Sequence, residues 1–307
     1  MKAAIIREYG QEVEITDIPK PELLADAVLV EVHSASINPV DNIIRAGYMK
    51  EYIPIKFPFI MGFDVSGVVV EVGSDVSNFK KGDEVYARPS GQLGGTIAEY
   101  AVINEKELAL KPVNISHQEA ASIPLAGLTA WQALVAKGKL QKGQKVLIHA
   151  GSGGVGTLAI QMAKQVGAYV ASTTSTSNVE MVKKLGADEV IDYKNKNFEE
   201  LLSDYDLVID MMGGEILEKS FKVLKKGGTL VSIKGQDTND LAKQYGVQFE
   251  SFFMWPSGEM LSELAQFIGD GVLKPVIDRS YSIDETQKAY DYLQTGRVKG
   301  KVVIAVK

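Results

Sequence analysis

The chain has 307 residues, of which 45% are hydrophobic and 23% charged. That composition excludes disorder and collagen-like repeats, and at roughly 150 residues per domain the length points to about two domains. Lys and Arg total 33 against 39 acidic residues, a net charge of −6 that argues against a general nucleic-acid or anionic-membrane binder. With no cysteine, disulfides, thiolate nucleophiles, iron–sulfur clusters and cysteine-ligated zinc are excluded. The apolar stretch before Arg7 is too short for a secretory h-region. No run approaches the ~18 apolar residues of a membrane span. The expectation is a soluble cytoplasmic protein.

In chain order, residues 1–114 read as short strands between turns. Ala3–Ile6, Val28–His33, Val65–Val72 and Glu84–Ala87 are rich in β-branched residues and bounded by Gly, Pro and Asp. From residue 115 the texture changes to strand–helix alternation. Lys145–Ile148 is a buried-strand pattern, followed by glycines and then apolar residues at helical spacing from Val155 to Val166. Strands recur at Tyr169–Thr173, Glu189–Asp192, Leu207–Asp210 and Thr229–Ile233. Helices are predicted near Val179–Leu185, where Gly186 is the stop, and near Ile216–Leu224. This alternation predicts βαβ units in a doubly wound parallel sheet. The run Val247–Phe253 fits an edge strand or an ordinary core strand equally. After about Pro256 come two helical patterns, Met260–Ile268 and Glu285–Leu293, and the strand Lys301–Val306. That last stretch is too short for a domain of its own and is expected to return to the first unit. The predicted organisation is one β-rich domain from 1–114 and 255–307, and an α/β domain over 115–254.

Gly151-Ser152-Gly153-Gly154-Val155-Gly156 satisfies G-x-G-x-x-G, between a predicted strand and an amphipathic helix. Glycines here permit a tight turn and close approach of a pyrophosphate, and the helix N-terminus offers unpaired N–H groups to the phosphates. A dinucleotide site is expected, with Ser152, Gly153, Gly154 and Val155 at the pyrophosphate. After the second strand, an NAD enzyme usually carries an Asp or Glu for the ribose 2′-OH. This chain has Ser172 to Asn178, a run of hydroxyls with no carboxylate and no Arg. That favours NADP(H), with Thr174, Ser175 and Asn178, and Lys183 or Lys184 nearby, at the 2′-phosphate.

The stretch Gly143 to Gly156, continuing through Gln161 and Lys164, resembles the signature of the quinone oxidoreductase and ζ-crystallin family. This is the zinc-lacking branch of the medium-chain dehydrogenase/reductase superfamily. Ile37-Asn38-Pro39-Val40-Asp41 with Arg45-Ala46-Gly47, Phe57 to Gly67, Pro124 to Ala130 and Lys299 to Val303 are similar to further family segments. The second of these is similar to the enone and alkenal oxidoreductases within that branch. The resemblance covers essentially the whole chain. It implies a GroES-like β domain completed by the C-terminus, a Rossmann cofactor domain, and commonly a homodimer joined through cofactor-domain sheets.

In related zinc alcohol dehydrogenases a Cys stands at the place of Asn38 and Gly-His-Glu at Gly62-Phe63-Asp64. Here only His33, His117 and His149 exist, none spaced i, i+4 from another, and each is read as structural; no metal is expected. The implied chemistry is zinc-independent hydride transfer from NADPH to a quinone or to the C=C bond of a conjugated enone or enal. By the resemblance, Asn38 contacts the nicotinamide or the acceptor carbonyl, and Asp41 organises its loop. Tyr48 is the candidate hydrogen-bond donor, with Tyr52 competing. Thr129, Tyr193, Met211, Gly213, Ile233 and Phe253 lie along the cofactor. Ile43 stands where some relatives place a cleft tyrosine, and Asn178 where the family often has a lysine. Alternatives are an enoyl-thioester reductase, against which the lack of a basic cluster counts, and an NADPH-binding sensing or structural protein with little turnover.

Overall fold

The computed structural model describes residues 1–91 and 95–307, and the chain divides into two compact units, Met1–Leu128 with Trp255–Lys307 and Thr129–Met254. The first unit contains β1 (Lys2–Ile6), β2 (Glu14–Asp17), β3 (Ala27–Ile37), α1 (Pro39–Arg45), β4 (Phe59–Ile60), β5 (Asp64–Val72), β6 (Glu84–Ala87), β7 (Tyr100–Asn104), β8 (Leu108–Leu110) and α2 (His117–Ala121). Helix α3 (Pro124–Trp131) spans the division. The second unit follows with β9 (Lys145–Ile148), α4 (Gly154–Val166), β10 (Tyr169–Thr174), α5 (Val179–Lys184), β11 (Glu189–Asp192), α6 (Phe198–Leu201), β12 (Tyr205–Asp210), α7 (Gly214–Ser220), β13 (Leu224–Ser232), α8 (Leu241–Tyr245) and β14 (Gln248–Ser251). The chain then re-enters the first unit through α9 (Gly258–Gly269), β15 (Ile277–Ser282), α10 (Thr286–Gln294) and β16 (Lys301–Ala305).

Strand β3 is the spine of the first unit. Its run of β-branched and small residues suits a pleated surface buried on both faces, and it pairs antiparallel with β5, β7 and β16. The approach of β5 to β3 is so close that a Cβ on Gly67 would lie 2.1 Å from the Glu31 carbonyl oxygen. Val28, Val30, Val65, Val69 and Ile103 fill one core cluster, and Ile37, Ile44, Phe63, Tyr290 and Val302 belong to another. The last strand, β16, pairs with β3 as the apolar run Lys301–Val306 leads one to expect.

The boundary of this unit lies later in the chain than the change of sequence texture at 114/115. Packing explains the difference. Helix α2 packs on β3 and β5, and the Leu125 N–H donates to the Asp64 carboxylate at 2.7 Å, so both segments belong with the β-rich unit.

In the second unit all six strands are parallel, in the order β11-β10-β9-β12-β13-β14. This is the strand order of a doubly wound dinucleotide-binding sheet, with its reversal between β9 and β12. Helix α4 buries Leu158, Ala159, Ile160, Met162 and Ala163 and ends at Gly167, whose φ of +86° makes the left-handed cap. Leu147, Ala171, Val208 and Leu230 form the sheet's contribution to the core under Phe221. Strand β14 is an outer strand of this sheet, which places the ambiguous run Val247–Phe253 at an edge.

Each unit buries a titratable group whose pKa lies far from its ordinary value. His149, at the end of β9, is 1% exposed and its ring contacts the Thr173 and Ser220 hydroxyls at 3.0 and 2.9 Å. Ser220 donates its own proton to the Ile216 carbonyl, so it accepts from Nε2–H, and Nδ1 accepts from Thr173. Burial holds this imidazole down at about 4, and the neutral ring serves as a strand-to-helix tie.

In the first unit the Asp41 carboxylate is fully buried. Its Oδ2 accepts from the Asn38 backbone N–H at 2.9 Å and from the Tyr290 hydroxyl at 3.2 Å, linking α1 to α10, while Oδ1 has no partner among the described residues. Burial raises its pKa to about 7, against the pull of the Asn38 N–H and Lys301 and with the push of Asp64. An acid whose folded pKa is raised loses its stabilising contribution as pH climbs from its unfolded to its folded value. Asp41→Asn keeps an acceptor and removes the charge. Relative to wild type, this variant is expected to gain about 2 kcal/mol between pH 5 and pH 7.5, measured by denaturant unfolding at both values.

Candidate functional site

The C-terminal ends of β9, β10, β12 and β13 lie along one edge of the parallel sheet, and the strand order reverses between β9 and β12. Ligands of open α/β sheets bind outside such an edge at such a point. The glycine turn leaves β9 here. A Cβ on Gly151 would stand 2.0 Å from the Ser172 hydroxyl oxygen, and one on Gly156 2.4 Å from the Ala150 carbonyl oxygen. Those two glycines are therefore demanded by the packing of strand, turn and helix against each other. Gly153 differs: its φ is −83°, and its Cβ would meet only the Ala150 oxygen, at 3.4 Å. Among the described residues no closer contact requires a glycine at the N-cap of α4. The bare backbone there leaves the first-turn N–H groups open to a close anionic ligand, which fits a dinucleotide pyrophosphate.

The hydroxyl turn after β10 is tied to this loop. Ser152 Oγ accepts from Thr174 Oγ1 at 3.0 Å and from Asn178 Nδ2 at 3.1 Å, and Asn178 Nδ2 also donates to Ser175 Oγ at 3.2 Å. The structure thus brings Ser152, Thr174, Ser175 and Asn178 into one cluster. Thr174 and Asn178 are buried, Ser175 is half-buried, and Thr176 and Ser177 are exposed. Lys183 is not drawn into the cluster: it projects from α5 and pairs with Glu180 at 3.0 Å. Tyr193 is half exposed, and its backbone N–H donates to the Thr174 carbonyl at 3.1 Å, which fixes it beside the turn.

A carboxylate does stand at this turn, which the segment's own sequence lacks. Asp192, opposite Thr174 in the β10–β11 register, accepts from Thr176 Oγ1 at 2.7 Å and from Asn195 Nδ2 at 2.6 Å. The Thr176 hydrogen bond is the chief influence holding its pKa below the usual carboxylate range. The carboxylate stays ionised, and its two oxygens are occupied by these donors and by the Lys194 N–H.

Along the same edge, the buried Asp210 carboxylate accepts from the N–H groups of Met212 and Gly213 and from the Ser232 hydroxyl at 2.7 Å. The Ile233 N–H donates to the Asp210 carbonyl. Met211, Gly213 and Ile233 are thereby gathered at the ends of β12 and β13. Phe253 follows β14 and is 78% exposed, whereas Thr129 is buried in α3.

In the first unit, Asn38 stands where β3 gives way to α1. Its side chain is held on both sides: Nδ2 donates to Asp64 Oδ2 at 2.8 Å, and Oδ1 accepts from Lys301 Nζ at 2.5 Å. Lys301 also reaches Asp64 Oδ2 at 2.9 Å and the Ile37 carbonyl at 3.1 Å, and Ser36 Oγ donates to Asp64 Oδ2 at 2.8 Å. Tyr48 and Tyr52 lie beyond α1 and are 82% and 80% exposed, so neither ring is packed into the core.

The donor set does not fit zinc. Phe63 supplies no ligand, the acceptors Asn38 Oδ1, Asp64 Oδ2 and Ile37 O already converge on the Lys301 ammonium, and among the described residues no three metal-ligating side chains form a group. His33 and His117 lie against each other elsewhere in this unit, their ring centroids 4.3 Å apart, and His117 contacts the Ser66 hydroxyl at 2.8 Å. Reasoning from sequence missed Asp64, Lys301 and Asp192. The available signal was a charge set in apolar surroundings, Asp64 between Phe63 and Val65 and Lys301 heading Val302–Val306.

Three sequence families match the chain: an alcohol dehydrogenase GroES-like domain over residues 25–113, an alanine dehydrogenase/PNT C-terminal domain over 121–213 and a zinc-binding dehydrogenase over 185–304. The chain is 41% identical to a 2-methylene-furan-3-one reductase of Solanum lycopersicum and 39% identical to a chloroplastic NADPH-dependent alkenal/one oxidoreductase of Arabidopsis thaliana, in each case over 99% of this chain and 79% of the relative. It superposes on the structure of the quinone oxidoreductase from Coxiella burnetii with a TM-score of 0.91 and 35% identity, covering 100% of this chain and 99% of that one. With the parallel sheet, the glycine turn and the β-rich unit in place, these matches lead to one conclusion: the chain belongs to the quinone and enone oxidoreductase family of the medium-chain dehydrogenase/reductase superfamily.

Proposed function

We propose that the protein is an NADPH-dependent, zinc-independent reductase of quinones or of the C=C bond of conjugated enones and enals. The observation that carries this reading is the glycine at position 153, which the packing of the described residues does not require and which close approach of a pyrophosphate to the backbone would. Ser152 and the first-turn N–H groups of α4 would hold the phosphates, Thr129, Tyr193, Met211, Gly213, Ile233 and Phe253 would line the rest of the cofactor, and Ser175 with its hydroxyl neighbours would meet the 2′-phosphate. NADPH, when bound, supplies a hydride. Once hydride reaches the β-carbon of an enone, the electron pair moves to the carbonyl oxygen and the α-carbon later takes a proton from water. The protein's task is to place the acceptor and to offer hydrogen-bond donors to that oxygen as its charge grows. Asn38 and the Tyr48 hydroxyl are the donors assigned here, and a quinone oxygen would use them in the same way.

The place of β14 as an outer strand of the parallel sheet supports a homodimer built by continuing that sheet.

Two experiments test this reading. NADPH absorbance is followed with a soluble quinone, a short enone, a 2-alkenal and an enoyl thioester, with NADH in parallel and with a chelator. Chelator-insensitive oxidation of NADPH by a quinone, enone or enal is expected. Preference for NADH, or for the thioester, would contradict the assignment, and tight NADPH binding without turnover would favour a sensing role. Gly153→Ala is expected to weaken NADPH binding by about tenfold or more, ~1.4 kcal/mol, with little change in Tm, because the fold has room for the methyl group. Gly156→Ala is expected to lower Tm, because its Cβ meets a backbone carbonyl. Calorimetric NADPH titration and thermal unfolding of both variants separate the two roles.

A further inference from the structure

Lys301 and Asp64 lie far apart in the chain, yet both close on the side chain of Asn38. The chemistry of this contact decides how the amide must point. An ammonium has only hydrogens to offer, so it can face only the Asn38 oxygen; a carboxylate paired with that ammonium has only lone pairs to offer, so it can face only the nitrogen. Lys301 spends its three N–H bonds on Asn38 Oδ1, Asp64 Oδ2 and the Ile37 carbonyl. Asp64 takes Ser36, Asn38 and Lys301 on Oδ2, and the Leu125 N–H on Oδ1. Reversing the amide would set nitrogen against ammonium and oxygen against carboxylate at once. Both ionic side chains are buried, Asp64 completely and Lys301 with only 6% of its side chain exposed, so water does not soften that penalty.

We propose that Lys301, through its ion pair with Asp64, is a positioning residue that locks Asn38 into a donor-only orientation. The Asn38 oxygen is occupied by the ammonium and one amide hydrogen by the carboxylate. The second Nδ2 hydrogen remains for a carbonyl oxygen of the acceptor or of the nicotinamide. The inference rests on the reading that places Asn38 at the reacting groups. It adds that Asn38 serves there by donating and that two residues outside the contact set its direction. Orientation fixed before the acceptor arrives is what makes a single neutral donor effective.

Lys301→Met alone would leave the Asp64 charge buried and uncompensated, and is expected to lower Tm sharply. The informative variant is therefore Lys301→Met with Asp64→Asn, which removes both charges together. Two readouts are taken on wild type, on this double variant, on Asn38→Ser and on the triple combination. The first is the side-chain amide pair of Asn38 in protein labelled with 15N-asparagine, identified by its absence in Asn38→Ser. The second is kcat for enone reduction, with the NADPH Kd measured separately.

The expected result is an unequal, slowly exchanging amide pair in wild type that moves toward free-asparagine values in the double variant. With it, kcat falls by about tenfold while the NADPH Kd stays within about twofold, and the double change costs nothing further on the Asn38→Ser background. An amide pair that the double variant leaves unmoved would overturn the proposal. So would a loss of kcat that adds in full to that of Asn38→Ser, since Lys301 would then not act through Asn38. Absence of wild-type turnover with every quinone, enone and enal would instead defeat the functional reading, and the amide pair alone would still decide the orientation.

Discussion

A carboxylate taken out of water must find donors, and Asp64 finds them in every part of the first unit. The Ser36 hydroxyl comes from β3, the Asn38 amide from the junction with α1, the Lys301 ammonium from the C-terminal strand and the Leu125 N–H from the start of α3. The GroES-like unit is assembled from two separated stretches of chain, and this contact joins them at the position where the family resemblance puts the chemistry. A buried ion pair is poor evidence of extra stability, because desolvation offsets most of the attraction. What it supplies is geometry: a small set of mutually exclusive hydrogen-bond assignments that leaves one arrangement satisfied.

The cofactor unit solves a different problem with less specific means. It must present bare backbone to a phosphate, so glycine appears where a side chain would intrude. The three glycines at 151, 153 and 156 are alike in sequence, but two exclude a Cβ because of the fold and one has room for it. The surrounding hydroxyls then stiffen the turn. Ser152, Thr174 and Asn178 hydrogen-bond mainly to one another, so the loop is shaped before any ligand arrives. The two units also bury titratable groups of opposite character. Asp41 loses its stabilising contribution as pH rises from about 4 to about 7, whereas neutral His149 loses its own as pH falls from its ordinary range toward about 4.

Much of the cofactor unit was legible because its information is local. The run Lys145–Ile148, the glycine turn and the amphipathic spacing to Val166 are adjacent in sequence, and each fixes the next. The return of Lys301–Val306 to the first unit was legible for a cruder reason: an apolar strand too short to stand alone must pair with something. The Asn38–Asp64–Lys301 contact was not legible, because its members belong together only once β3, β5 and β16 are aligned, and no local pattern encodes that register. Asp192 was not legible for the same reason: it lies not in the turn after β10 but across from Thr174 on the neighbouring strand β11. Lys183 presents the reverse case. It stood near the turn in sequence, but Glu180 lies three residues before it on the same helix, and that i, i+3 spacing pairs them on the helix surface.

The central claim is that hydride goes directly to carbon, with donors rather than a metal bearing the charge on oxygen. The measurement that tests it most directly uses NADPH deuterated at the transferring position of the nicotinamide, with an enone as acceptor and the product read by NMR. The account requires one deuterium at the β-carbon and solvent hydrogen at the α-carbon. Deuterium on the carbinol carbon of an allylic alcohol would instead mean carbonyl reduction, and would contradict it.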